Sequence, residues 1–180
     1  MTANATQEER MLDFLKRNTL ARSKELQAIG VAATTISRAV EEGFVTRIGR
    51  GLYKLTDSEI DANTSLAEVS KQAPKATICL MSALAFHELT DQMPRKVWVA
   101  IRASAWKPNF EQPKTRVVRF RDPYFSGDIE KHSMSGTMVP IYTIEKSLCD
   151  AFRLPKLVDR SVAIESLKSA LRDKKTTPAK

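Results

Sequence analysis

In the first third of the chain, apolar residues recur first at helical and then at alternating spacing, and the patterns run helix, helix, helix, hairpin. Thr6 with Glu9 fits a capping box, and Met11, Phe14 and Leu15 share one helical face, which predicts a first helix to about Arg17. Ser23 predicts the cap of a second helix through Ile29, broken at Gly30. In the third, Ala33, Ile36 and Val40 fall at helical spacing and Gly43 supplies a left-handed stop. Its cap position is Ala32, which has no side-chain acceptor; the deficit is about 1 kcal/mol unless another group substitutes, so wing and core packing are expected to supply the stability. Phe44 to Ile48 and Leu52 to Leu55 then alternate as strands about Gly49-Arg50-Gly51. That order is a winged helix-turn-helix, in which the second helix of the turn enters the major groove and the hairpin is the wing.

Further along, residues 57–64 carry Asp57, Glu59 and Asp61 without apolar periodicity and read as a linker. Ser65 with Glu68 predicts a capping box opening a short helix, Leu66 and Val69 inward, ended by Pro74. A longer helix is expected from about Thr77 to Leu89 with Ile78, Met81, Leu84 and Ala85 as its stripe. Val97 to Ile101 and Val117 to Phe120 are strand-like, and Ile129 to Met134 with Thr137 to Tyr142 predict a hairpin about Ser135-Gly136. Thr143 caps a helix to about Arg153 that Pro155 ends, and Arg160 to Leu171 forms a last helix before a frayed basic tail, Lys174 to Lys180. The expected fold class is α+β: a winged helix-turn-helix over 1–56, a linker over 57–64, a mixed domain with a small sheet and flanking helices over 65–173, and the tail over 174–180.

Composition adds little until charge is placed. With 42% hydrophobic and 28% charged residues the chain is an ordinary globular sequence. No apolar run reaches the roughly 20 residues of a membrane span, and residues 1–10 lack an apolar leader, so a cytoplasmic protein is expected. The net charge of +8 and pI near 9.6 point to a polyanionic partner. Residues 1–56 hold nine basic and six acidic residues, whereas beyond residue 65 there are 20 basic against 12 acidic, so most of the excess lies outside the winged helix.

The residues expected at DNA are Ser23, Lys24, Thr34, Thr35, Ser37, Arg38, Arg47, Arg50, Gly51 and Tyr53. Thr34, Thr35 and Arg38 suit base edges and phosphates, with Glu42 at the outer end, while Arg47 and Arg50 suit phosphate or a narrow minor groove. A second basic surface is expected from Arg95, Lys96, Arg102, Lys107, Arg116, Arg119 and Arg121, interleaved with Trp98, Trp106, Phe110 and Phe120; such a mixture suits nucleic acid but also describes a solvated sheet edge. His87 reads as a hydrogen-bonded packing residue, His132 has no metal partner at ligand spacing, and Cys79 and Cys149 read as buried free thiols. The acid-x-Lys spacing of a metal-dependent nuclease occurs only at Asp173-Lys174-Lys175, in the tail. No catalytic residue, metal or cofactor is expected.

Gly49-Arg50-Gly51-Leu52-Tyr53, then Ser82-Ala83-Leu84-Ala85-Phe86-His87-Glu88-Leu89-Thr90 through Pro94 into Val97-Trp98-Val99-Ala100, then Ile141-Tyr142-Thr143-Ile144-Glu145-Lys146-Ser147-Leu148-Cys149-Asp150 resembles the AbiEi family of antitoxins over most of residues 6–172. The resemblance implies a type IV antitoxin, encoded beside a nucleotidyltransferase-like toxin, whose winged helix binds inverted repeats in its own promoter. It also implies a second domain that counteracts the toxin without a stable complex. Without heptads for a dimerising coiled coil, two monomers on adjacent half-sites are expected. The alternatives are a protein-interaction module that binds an acidic partner directly, and a transcription regulator whose second domain senses a ligand.

Overall fold

A computed structural model describes residues 5–58, 62–110 and 112–177. Glu59 and Asp61 of the expected linker, Glu111, and the last three residues of the expected tail lie outside them. Helix α1 (Gln7–Asn18) opens with the expected capping box, Glu9 N–H donating to Thr6 Oγ1 and Thr6 N–H to Glu9 Oε2. Strand β1 (Leu20–Arg22), which the periodicity did not predict, leads into α2 (Ser23–Ala28), where Arg22 and not Ser23 holds the cap position. The turn through Gly30 precedes α3 (Ala33–Glu41), whose buried residues are Ile36 and Ala39, with Val40 half-buried and Ala33 exposed. The buried stripe is therefore rotated from the expected one by about one residue.

The wing is β2 (Val45–Gly49) and β3 (Leu52–Leu55), antiparallel, with β1 on the other side of β3. Gly49 belongs to the strand, because a bulge lets Ile48 stand out of register between the Arg47 and Tyr53 pair and the Gly49 and Leu52 pair. Both faces of this small sheet are covered. Ala21 and Val45, with Tyr53 and Leu55 against them, pack on the helical core of Met11, Leu15, Leu26, Val31, Ile36 and Ala39. Leu20, Ile48 and Leu52 join a different core, shared with Leu66 and Val69 of α4 (Ala62–Gln72) and with the second sheet.

That second sheet has the order β6-β5-β4-β8-β7, built from β4 (Thr77–Ile78), β5 (Val97–Arg102), β6 (Thr115–Phe120), β7 (Ile129–Met134) and β8 (Thr137–Tyr142). It is mixed: β4 lies parallel to β8 and antiparallel to β5, while β5 and β6 run parallel. Val97, Val99 and Ile101 face α4, and Trp98 and Ala100 face the opposite core under α5 (Leu80–Phe86), α6 (Ile144–Arg153) and α7 (Arg160–Arg172). The expected helix from Thr77 is thus a buried strand followed by a short helix, a short apolar run whose periodicity fits either. Ser65 sits inside α4, so it opens no helix.

Two further expectations change. Cys79 is buried, and burial pushes its thiol up, but Cys149 faces solvent on α6. The tail is tied down at its start, Lys175 Nζ donating to the His87 carbonyl and Thr176 Oγ1 to Glu145. The Thr143-to-Asp150 motif is structural: Thr143 caps α6, and the buried Asp150 takes Lys146 and the Arg153 guanidinium on its two oxygens, so neither core charge is unpaired.

Candidate DNA interface

Helix α3 owes its start to a residue outside it. Gln7 Oε1 accepts from Ala32 N–H at 2.8 Å and from the Thr35 hydroxyl at 2.9 Å, so a side chain of α1 does the work absent at Ala32. Thr35 is therefore half-buried with its hydroxyl committed, and it is not part of the exposed face of α3. Thr34, Ser37 and Arg38 are exposed. Arg38 keeps 62% of its side chain in solvent, with Glu8 and Glu42 each 3.9 Å away. Exposed pairs at that distance are worth about 0–1 kcal/mol, so the guanidinium is only weakly held by them.

At the wing, the turn folds back on α2. Ser23 N–H donates to the Gly51 carbonyl at 2.9 Å and its Oγ to the same oxygen at 3.4 Å. Gly51 has φ +65°, and a Cβ there would meet Ser23 Oγ at 2.9 Å, so glycine is required twice over. Ser23 and Gly51 therefore shape the wing tip. Arg50 projects from it into solvent; Arg47 is exposed but bends along its own strand, Nε donating to the Gly49 carbonyl at 3.2 Å. Lys24 is exposed beside them at the start of α2, and Tyr53 is half-buried against the helical core.

The base of the wing is another matter. Lys54, a cation of the same hairpin as Arg47 and Arg50, is buried and donates to Glu68 of α4 at 2.8 Å. Around it, Lys71 Nζ reaches the Leu20 carbonyl and Glu25 at 2.9 Å each, and Arg22 donates to the Lys71 carbonyl. The turn between β7 and β8 touches the end of α1, where a Cβ on Gly136 would sit 3.0 Å from Asn18 Oδ1. None of these contacts covers α3 or Arg50.

In the second sheet the expected basic residues separate into two groups. Arg102 is paired with Asp122 and Ser126, and Arg119 donates to the carbonyls of Ala103 and Ala105 at 2.7 and 2.8 Å. Arg95, Lys96, Lys107 and Arg116 line one open cleft of about 530 Å³. Arg116 lies over the Trp98 ring at 4.1 Å, and Arg121 is exposed outside that cleft. Trp106, in sequence no more than an interleaved aromatic, is 93% exposed.

His87 packs as expected, its Nε2 on the Tyr142 carbonyl at 2.8 Å, and burial pushes its pKa down despite that hydrogen bond. Among the described residues no three histidine, cysteine or carboxylate side chains gather at metal-binding distance, and no helix is long and apolar enough to cross a membrane. The exposed Cys149 lines a groove between α6 and α7 with Leu148, Phe152, Leu167 and Leu171, and no histidine lines it.

Compared with curated proteins, the chain finds no match. Residues 9–56, from the first turns of α1 to the end of the wing, match the family model described as "Transcriptional regulator, AbiEi antitoxin".

Proposed function

We propose that this chain is a DNA-binding antitoxin that represses its own operon, with α3 in the major groove and Arg50 on the backbone or minor groove. The carrying observation is selective exposure: Thr34, Ser37, Arg38 and Arg50 stay in solvent although the other face of the wing sheet is buried under α4. Two monomers bind the two halves of an inverted repeat in the promoter. The second domain, over about 65–173, counteracts a nucleotidyltransferase-like toxin in the cytoplasm without a stable complex and without catalysis of its own.

Gel shifts on the upstream region and on random DNA, at two salt concentrations, test this reading. Arg38→Ala is expected to lose about 1–3 kcal/mol of discrimination between the two DNAs. Arg50→Ala weakens both and lowers the salt slope by about 1. Equal loss on operator and random DNA for Arg38→Ala defeats the base-reading role of that residue. A second reading, neutralisation by direct binding, is favoured by the apolar α6–α7 groove with Phe152 and Leu171 in solvent. Co-purification with the product of the neighbouring gene decides between the two.

A further inference from the structure

We infer that the cleft between Lys96 and Arg116 is a second nucleic-acid site, separate from the winged helix, and that it takes an unstacked strand rather than a duplex. Arg95, Lys96, Lys107 and Arg116 line it, together with Thr115 and the Trp98 ring, and no carboxylate is among the described residues in its wall. None of these four cations makes a hydrogen bond or ion pair among the described residues, whereas their neighbours Arg102 and Arg119 are consumed by Asp122 and by loop carbonyls. Four unneutralised charges around one cleft repel each other and lower stability unless an anion visits.

Arg116 lies over the Trp98 ring with its Cζ 4.1 Å from the centroid and has no ion pair among the described residues, which leaves its N–H groups for a phosphate or a base edge. Trp106 adjoins Lys107 in the chain and is 93% exposed, an apolar surface the protein does not use in its own core. The segment that bears it is not loose: Arg119 fastens it through the carbonyls of Ala103 and Ala105, on either side of Ser104 and directly before Trp106. A ring presented on an anchored segment loses little conformational freedom when something stacks on it. Duplex DNA keeps its base faces inside the helix, so an exposed indole beside cations finds its partner only in single-stranded or end-frayed nucleic acid.

The test uses the full chain and two labelled strands of about a dozen nucleotides, oligouridylate and oligodeoxythymidylate, with a random duplex as the third probe, read by fluorescence anisotropy. Saturable binding of a strand is expected, about tenfold weaker in Trp106→Ala, with a salt slope reduced by about 0.7 in Lys107→Glu. Trp106 is 93% exposed, so its variant is expected to fold, and its gel shift on the operator stays at the wild-type value. Arg38→Ala and Arg50→Ala keep the strand affinity, which separates this site from the winged helix. Preference for oligouridylate identifies RNA as the natural strand and preference for oligodeoxythymidylate identifies DNA. The inference is overturned if neither strand binds saturably, if Trp106→Ala binds like the wild type, or if the duplex outcompetes both strands through the same residues.

Discussion

The tip and the base of the wing use the same residue chemistry for opposite ends. Arg50 at the tip is in solvent, free to meet an anion; Lys54, four residues on and also in the hairpin, is buried against Glu68. What separates them is the second face of the small sheet. Leu52 and Lys54 point towards α4, while Tyr53 and Leu55 point towards the helix-turn-helix, so the alternation that reads as inside and outside is here inside and inside. A count of positive charges therefore overstates what a polyanion can reach. The same division recurs in the second sheet, where Arg102 and Arg119 are held by internal partners and the cations of the cleft are not.

The comparison breaks most visibly at the base. Lys54→Met leaves Glu68 as a buried carboxylate without its cation, and the expected loss is about 3–5 kcal/mol in urea unfolding. The double variant Lys54→Met/Glu68→Leu recovers most of that, because two apolar side chains of similar volume suit the surrounding core of Leu52 and Leu66. Arg50→Ala, at the other end of the hairpin, leaves the unfolding midpoint within experimental error. If Lys54→Met were as mild as Arg50→Ala, the base of the wing would be solvated and the contrast would vanish.

A smaller effect sharpens the role of α1. Gln7→Ala removes the acceptor that serves Ala32 N–H and the Thr35 hydroxyl, and a loss of about 1 kcal/mol is expected, the usual size of a lost helix cap. Operator affinity falls with it only as far as the start of α3 frays. Amide exchange at the first turn of α3, faster in Gln7→Ala than in the wild type, is the direct check.

The helix-turn-helix and wing were legible because their signals are local: the Thr6 and Glu9 box, Gly43, and the Gly49-Arg50-Gly51 turn. So were the last hairpin and the Thr143 cap. What could not be read depends on long-range contact. Gln7 acts on a helix 25 positions away, Lys54 is buried against Glu68 of α4, 14 positions on, and β1 is held by its pairing with β3. Cys149 was misplaced for a related reason, since apolar neighbours in sequence say little about which side of a helix solvent reaches. On α3, Thr34 and Arg38 were legible as exposed positions, but the Thr35 hydroxyl is taken by Gln7, a partner that no periodicity reveals.

The finest test of the contrast between tip and base is the pair at its margin, the 42% exposed Glu25 side chain of α2 and the largely covered Lys71 of α4. Partial burial pushes the Glu25 carboxyl up, but the Arg22 N–H at 2.5 Å and the Lys71 ammonium outweigh it, and its pKa lies below the ordinary 4.5. A carboxylate whose folded value is depressed stabilises fully above the unfolded value, and that contribution disappears as pH falls through the folded one. Glu25→Gln preserves an acceptor for Arg22 and removes only the charge facing Lys71. The expected difference in stability at neutral pH is under about 1 kcal/mol, as for other pairs open to solvent, and salt reduces it. It should close as pH drops through the acidic carboxylate range, whereas the Gln7→Ala deficit, which involves no titrating group, persists. A Glu25→Gln deficit independent of pH would mean that the margin of the wing is joined to α4 by packing and neutral hydrogen bonds, and that charge at this junction is as idle as charge at the tip is free.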